Sequence, residues 1–215
     1  MKDSKTKLLH KAFELFSLRG LEGVSTREIA QRAGCNIQGI SYYFGGKDGL
    51  YEAVLSYAAE FIKEESRAYL HFEDYCKALP LLDREQSVDL LFRVFDDLID
   101  FGFAKKNIYV GLMLTREEFA PSKYNKEFLE KLKSPMQDFI MGCVSKITGL
   151  KEKEPENIFL CYMLISQVLC FGRRKNLLLK VLDVKTFTPE IINLVKQMVH
   201  KNTKEILKRY IKEQK

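Results

Sequence analysis

Leu8, Leu9, Ala12, Phe13, Leu15 and Phe16 fall on one broad face at helical intervals, which predicts a helix from Ser4 to Arg19 stopped by Gly20. Ser25 and Glu28 stand in the arrangement of a capping box, whose hydroxyl and carboxylate satisfy backbone donors that a first helical turn leaves unpaired. The helix they start carries a small apolar face of Ile29, Ala30 and Ala33 and ends at Gly34, where a left-handed backbone lets the chain turn. Asn36 can cap the next helix, in which Ile37, Ile40 and Phe44 recur near helical spacing and Gln38, Gly39, Ser41 and Tyr42 point outward. Two short helices joined by a tight turn have helix-turn-helix geometry, although an ordinary helical hairpin inside a larger core gives the same periodicity. Small residues at Ala30, Ala33 and Gly39 allow close crossing, and outward amides and hydroxyls are suited to bases and phosphates.

Beyond the Gly45-Gly46 turn, Tyr51, Val54, Leu55, Ala58 and Phe61 predict a helix from Lys47 toward Leu70. Its tilt can couple a larger domain to the reader. His71 to Leu82, with Pro80, reads as a connector containing a short helical piece. Ser87 to Phe103 and Ile108 to Phe119 follow as helices, the second ending before Pro121. Lys126 to Ile147 carries Phe128, Leu129, Leu132, Met136, Phe139, Ile140 and Val144, with a bend expected at Pro135. Glu156 to Phe171 is apolar almost all round, and such a helix is either enclosed or shared with a partner. Thr188 and Pro189 start a last helix bearing Ile191, Leu194, Val195, Met198, Val199, Ile206 and Leu207. The fold class expected is all-α, with an N-terminal three-helix domain over residues 1–48 and a larger helical domain over 49–215.

Composition agrees: among 215 residues, 46% are hydrophobic and only five are proline, enough apolar content for a packed core and too few breakers for a many-turned β architecture. The net charge of +6 suits an anionic partner, although Lys and Arg are spread along the chain. Lys2, Lys5 and Lys7 read equally as a basic arm or a hydrated terminus. The five cysteines form no Cys-x-x-Cys pair and follow no secretory leader, pointing to a reduced cytoplasm, and Cys143, Cys161 and Cys170 read as small buried hydrophobes. His10, His71 and His200 lie far apart, so neither a metal nor any other cofactor is expected, and no uninterrupted run of about eighteen apolar residues suggests a membrane span. Without a glycine-rich phosphate loop or a nucleophile and base constellation, an enzyme is not expected; the rivals kept open are a helical interaction adaptor and a helical enzyme assembled only in space.

The run from Gly20 through Ser25-Thr-Arg-Glu-Ile-Ala to Tyr42-Tyr-Phe-Gly-Gly-Lys-Asp-Gly-Leu50 resembles the N-terminal domain of TetR/AcrR-type bacterial transcriptional regulators. Leu112, Arg116, Glu117, Pro121 and Ser122, with Gln167, resemble the CecR (YbiH)-like branch of that family. The resemblance implies a ligand-responsive regulator, a repressor by family expectation, that binds palindromic double-stranded operator DNA as a homodimer in the cytoplasm and is released by a small-molecule effector. DNA contacts are expected at Thr26, Arg27, Asn36, Gln38, Gly39, Ser41, Tyr42, Tyr43 and Lys47; the resemblance assigns Lys47 to a phosphate, and Ser41 departs from the Tyr that many members carry. A dimer seam is expected at Ile158, Cys161, Tyr162, Ile165, Leu169, Ile191, Val195, Met198, Val199 and Ile206. An aromatic and Met-rich effector pocket is expected from Phe101, Phe103, Tyr109, Met113, Phe119, Met136, Phe139, Met163 and Gln167, with Arg116 available to an anionic ligand.

Overall fold

The computed structural model describes residues 2–104 and 107–212; the side chains of 2, 126, 127, 129–134 and 212 are outside the description, and with them the expected roles of Lys2, Leu129 and Leu132. All regular structure among the described residues is helical, in the order α1 (Lys2–Arg19), α2 (Thr26–Ala33), α3 (Gln38–Phe44), α4 (Lys47–Glu65), α5 (Arg67–Leu70), α6 (Phe72–Ala78), α7 (Arg84–Phe103), α8 (Ile108–Phe119), α9 (Asn125–Thr148), α10 (Pro155–Arg173), α11 (Lys175–Val181) and α12 (Pro189–Lys212). The helix expected to run from Lys47 to Leu70 breaks at Ser66, which takes an extended backbone and starts the separate turn α5. The connector holds α6 and a 3-10 turn at Leu79–Leu81 containing Pro80. Two further features escape the periodicity. Asp83 and Gln86 form a full capping box that starts α7 before Ser87, and α11 is too short, at seven residues, for its pattern to register. Pro135 lies inside α9.

The chain folds into two compact units, residues 1–62 with 106–132, and residues 63–105 with 133–215. The first therefore holds α4 to Ile62 and also α8, which come from beyond the three N-terminal helices. Its core is Leu8, Ala12, Leu15 and Phe16 of α1, Ile29 and Ile40 of the two short helices, Leu50, Tyr51 and Val54 of α4, and Val110 and Met113 of α8. Phe16 and Tyr51 meet edge to face with centroids 5.1 Å apart. The Tyr51 hydroxyl donates to the buried Glu117 carboxylate of α8, which also accepts from the backbone N–H and hydroxyl of Ser122 at 3.1 and 2.9 Å. Burial first, and the Glu117 bond second, push the Tyr51 hydroxyl pKa up, so it remains a protonated donor. Asn125 donates to the Glu117 carbonyl at 2.6 Å, Arg116 Nη2 donates to the Leu18 carbonyl at 2.9 Å near the end of α1, and Lys123 pairs with Asp48 at 3.0 Å. Segment 107–125 thus binds the same α1 and α4 that carry the short helices.

In the second unit α7, α9, α10 and α12 share a core that includes Leu91, Phe95, Ile99, Ile140, Val144, Leu160, Leu164 and Leu207. Helices α7 and α10 approach closely at Gly102 and Gly172, where a Cβ on Gly172 would come within 2.9 Å of the Gly102 Cα. Across α7 and α12, Lys196 pairs with Asp100 and His200 with Asp96, each at 2.8 Å, and the His200 ring stacks on Phe92. Cys143 and Cys161 are buried, and burial pushes both thiols up to about 12, which keeps them protonated. Cys170, expected inside, is exposed on α10. Among the described helices only α10 is long and apolar enough to cross a membrane by length and composition; its Leu160, Cys161, Leu164 and Val168 are packed in this core.

Tyr51→Phe leaves the ring packing intact and removes one donor from a buried carboxylate. The expected loss is about 1.5 to 3 kcal/mol, the range for hydrogen bonds to charged groups, read as a lower urea midpoint with unchanged slope.

Candidate nucleic-acid interface

Three local devices shape the α2-turn-α3 segment. The Ser25 hydroxyl accepts from the Glu28 N–H at 3.1 Å, Gly34 takes a left-handed backbone with φ +62°, and the Asn36 side-chain oxygen accepts from the Gln38 N–H at 2.9 Å. Only half of the expected capping box forms. The Glu28 carboxylate pairs with Arg19 at 2.5 Å and Arg32 at 3.1 Å, because two guanidinium groups outcompete a single backbone donor. The Arg19 hydrogen bond holds the Glu28 carboxyl below the usual carboxylate range. The pair links the end of α1 to α2.

Helix α3 presents two unlike sides. With residues spaced about 100° apart around a helix, Ile40, Gly39, Tyr43 and Phe44 occupy one side, and Ile37, Ser41, Gln38 and Tyr42 share the remaining arc of about 140°. Ile40 is 1% exposed and Tyr42 is 73% exposed. Gly39 belongs to the inner side: a Cβ there would lie 3.2 Å from Leu8 Cδ1, so its outward assignment gives way to a close approach between α3 and α1. Ile37 also departs from its expected apolar face. It is 45% exposed, in the outer arc.

Of the other DNA-contact candidates, Ser41, Gln38 and Arg27 are exposed, Thr26 is half-buried at the start of α2, and Tyr43 is half-buried with its ring edge-on to Tyr42 at 4.9 Å. Asn36 is exposed, but its side-chain oxygen is engaged in capping. Lys47 opens α4, with Nζ 4.0 Å from Glu22. A seven-residue helix is about 10 Å long, and its exposed arc fits a B-DNA major groove about 12 Å wide. Amide, hydroxyl and phenol groups on that arc can pair with base edges, while Arg27 and Lys47 lie on elements flanking it and can reach phosphates.

The pocket candidates are divided between the two units. Tyr109, Met113, Arg116 and Phe119 belong to the first unit, and Phe101, Phe103, Met136, Phe139, Met163 and Gln167 to the second. Met113 is closed into the core, with its sulfur 3.8 Å from the Tyr51 hydroxyl, Arg116 is engaged with the Leu18 carbonyl, and Phe119 is on the surface. Phe103 packs edge-on to Phe187, Met136 is buried, and Phe139 packs against Phe72 and Tyr75. Phe101 is half-buried. The Gln167 amide donates to Thr203 at 2.8 Å and accepts from Asn202 at 2.7 Å, so it ties α10 to α12. Met163, 62% exposed, stands outside the core altogether.

The seam candidates divide by burial. Cys161, Val195 and Val199 point into the chain's own core, because α10 and α12 each spend one face on it. Ile158, Ile165, Leu169, Ile191 and Ile206 are half-buried, and Tyr162 and Met198 are exposed. Phe159, at 67% exposure, Met163 and Leu194 join them on the outside; an apolar side chain on the far side of a core helix is the signal that finds these residues.

Comparison with known proteins agrees with this arrangement. Residues 8–54 match the family model described as bacterial regulatory proteins, tetR family, and residues 88–208 match the model described as HTH-type transcriptional dual regulator CecR, C-terminal domain. The HTH-type transcriptional dual regulator CecR of Shigella flexneri is 28% identical over 196 residues, 91% of this chain and 87% of that protein. Two solved structures share the fold. AibR, in complex with isovaleryl coenzyme A and operator DNA, has a TM-score of 0.62 at 17% identity, covering 92% of this chain and 96% of that one. PfmR, a TetR family transcriptional regulator from Thermus thermophilus, has a TM-score of 0.59 at 17% identity, covering 90% and 91%. With the C-terminal model alone spanning more than half of its length, the chain belongs to the TetR family of bacterial transcriptional regulators, in the branch that carries a CecR-type C-terminal domain.

Proposed function

We propose that this regulator acts in the cytoplasm as a homodimer that places one α3 in each half of a two-fold operator, represses by occupying it, and leaves when a small molecule binds. The observation that carries this reading is the bare arc of α3, where Gln38, Ser41 and Tyr42 are exposed on a helix otherwise packed against its own unit. The dimer is supported by Phe159, Tyr162 and Met163 on α10 and Leu194 and Met198 on α12, large apolar side chains exposed on two helices whose other faces build the core. A two-fold pair of such faces is self-complementary and suits a palindromic site. The first effectors to test are acyl-bearing molecules, because AibR, which shares the fold, is described with isovaleryl coenzyme A. An effector releases DNA only by binding the DNA-incompetent state more tightly; equal affinity for both states shifts no population.

The reading face is tested on a duplex that the chain selects from a random-sequence library. Lys47→Ala weakens binding to all duplexes and lowers the salt slope by about one, the signature of one lost phosphate contact. Gln38→Ala costs about 1 to 3 kcal/mol and relaxes preference at one position per half-site. Unchanged affinity in both variants contradicts the assignment.

Assembly is tested by sedimentation at micromolar concentration. Tyr162 and Met198 are exposed in the single chain, so Tyr162→Glu and Met198→Glu leave its own core intact and bury an unpaired charge only where two chains meet. The wild type sediments as a dimer and each variant as a folded monomer. Folded dimers of both variants contradict the seam.

A further inference from the structure

We infer that Ile37 is a specificity residue, reading the C5 methyl group of one thymine in each half-site; the inference rests on the α3 arc being the DNA-reading face. A half-exposed isoleucine is unremarkable on most surfaces. Its position is what matters. Ile37 stands at the N-terminal start of α3, the end of a recognition helix whose residues reach base edges, and its exposed neighbours on the arc, Gln38, Ser41 and Tyr42, are all polar or carry a polar tip. Its backbone is already helical, with φ −57° and ψ −33°, and its carbonyl accepts from the Ile40 N–H at 3.1 Å, so the first turn holds its Cβ in the arc. A β-branched side chain has few rotamers to lose on contact.

The neighbouring chemistry narrows the target. The Asn36 oxygen is committed to the Gln38 N–H, leaving Ile37 and Gln38 to present the leading edge of the helix. Ile37 has no donor or acceptor in its side chain. In the major groove the matching apolar feature is the thymine methyl, which stands beside the thymine O4 acceptor, whereas guanine, adenine and cytosine carry no methyl and offer only acceptors and donors that an isoleucine would desolvate without replacing. Ile37 therefore favours thymine in two ways, by burying the methyl and by penalising polar edges.

The test uses the duplex selected by this chain from a random-sequence library, with each thymine replaced singly by deoxyuridine, which pairs identically and lacks the methyl. One thymine per half-site is expected to show about three- to fivefold weaker binding on replacement, the effect of one lost buried methyl group. Ile37→Ala should bind the parent duplex more weakly and lose the deoxyuridine effect at that position alone, while Ile37→Val, which keeps an apolar branch, retains it. Thermal unfolding of both variants, compared with the wild type, shows whether the fold is intact, and the deoxyuridine scan of the wild type stands without either. Selection of a duplex with no deoxyuridine-sensitive thymine, or an equal effect in Ile37→Ala, overturns this inference and leaves the reading of α3 in place. Failure to select any duplex overturns both.

Discussion

A helix of seven residues does not hold its shape alone in water, since nucleation costs more than so few hydrogen bonds return. Helix α3 can present a bare arc only because its other side is held by packing. Ile40 is buried, Gly39 lets the helix approach Leu8, and Asn36 and the left-handed Gly45 tie down its two ends. Around it α1 is fixed to α2 through Arg19 and Glu28, to α4 through Phe16 and Tyr51, and to α8 through the Leu18 carbonyl and Arg116. The Tyr51–Glu117 bond gives this brace a polar centre that is costly to leave unpaired. Reader and brace are therefore one packing problem, even though α8 lies far beyond α3 along the chain.

The second unit solves a different problem. Helices α10 and α12 turn one side into the core they share with α7 and α9, and Gln167 with Thr203 and Asn202 locks the two together by polar bonds. Their other side exposes Phe159, Tyr162, Met163, Leu194 and Met198. In the proposed dimer this face meets its own copy, and a two-fold axis then presents two α3 arcs to two similar half-sites.

Much of this is legible in the sequence because its causes are local. Capping at Ser25 and Asn36, the turn at Gly34 and the apolar spacing of α1, α4, α7 and α12 are written within a few residues of where they act. Glu28 misleads because its choice between a backbone donor and two arginines depends on Arg19, which only the fold brings near. Ile37 reads as inward because periodicity gives an angle and not the depth of the surface it meets. The expected pocket set mixes residues of two units because α8 folds with the N-terminal helices, a long-range pairing that composition cannot disclose. Met163 and Cys161 are both simply apolar positions on α10; their separation into outer and inner faces depends on which side α7 covers.

In the proposed complex the bare arc of α3 is delivered twice, by two chains, to one duplex. A hydroxyl-radical footprint on the selected duplex measures this directly. Two protected patches of inverted sequence are expected, with centres about one helical turn apart, roughly 10 to 10.5 base pairs, or a whole multiple of it. A single protected patch occupied by one chain at saturation would contradict it.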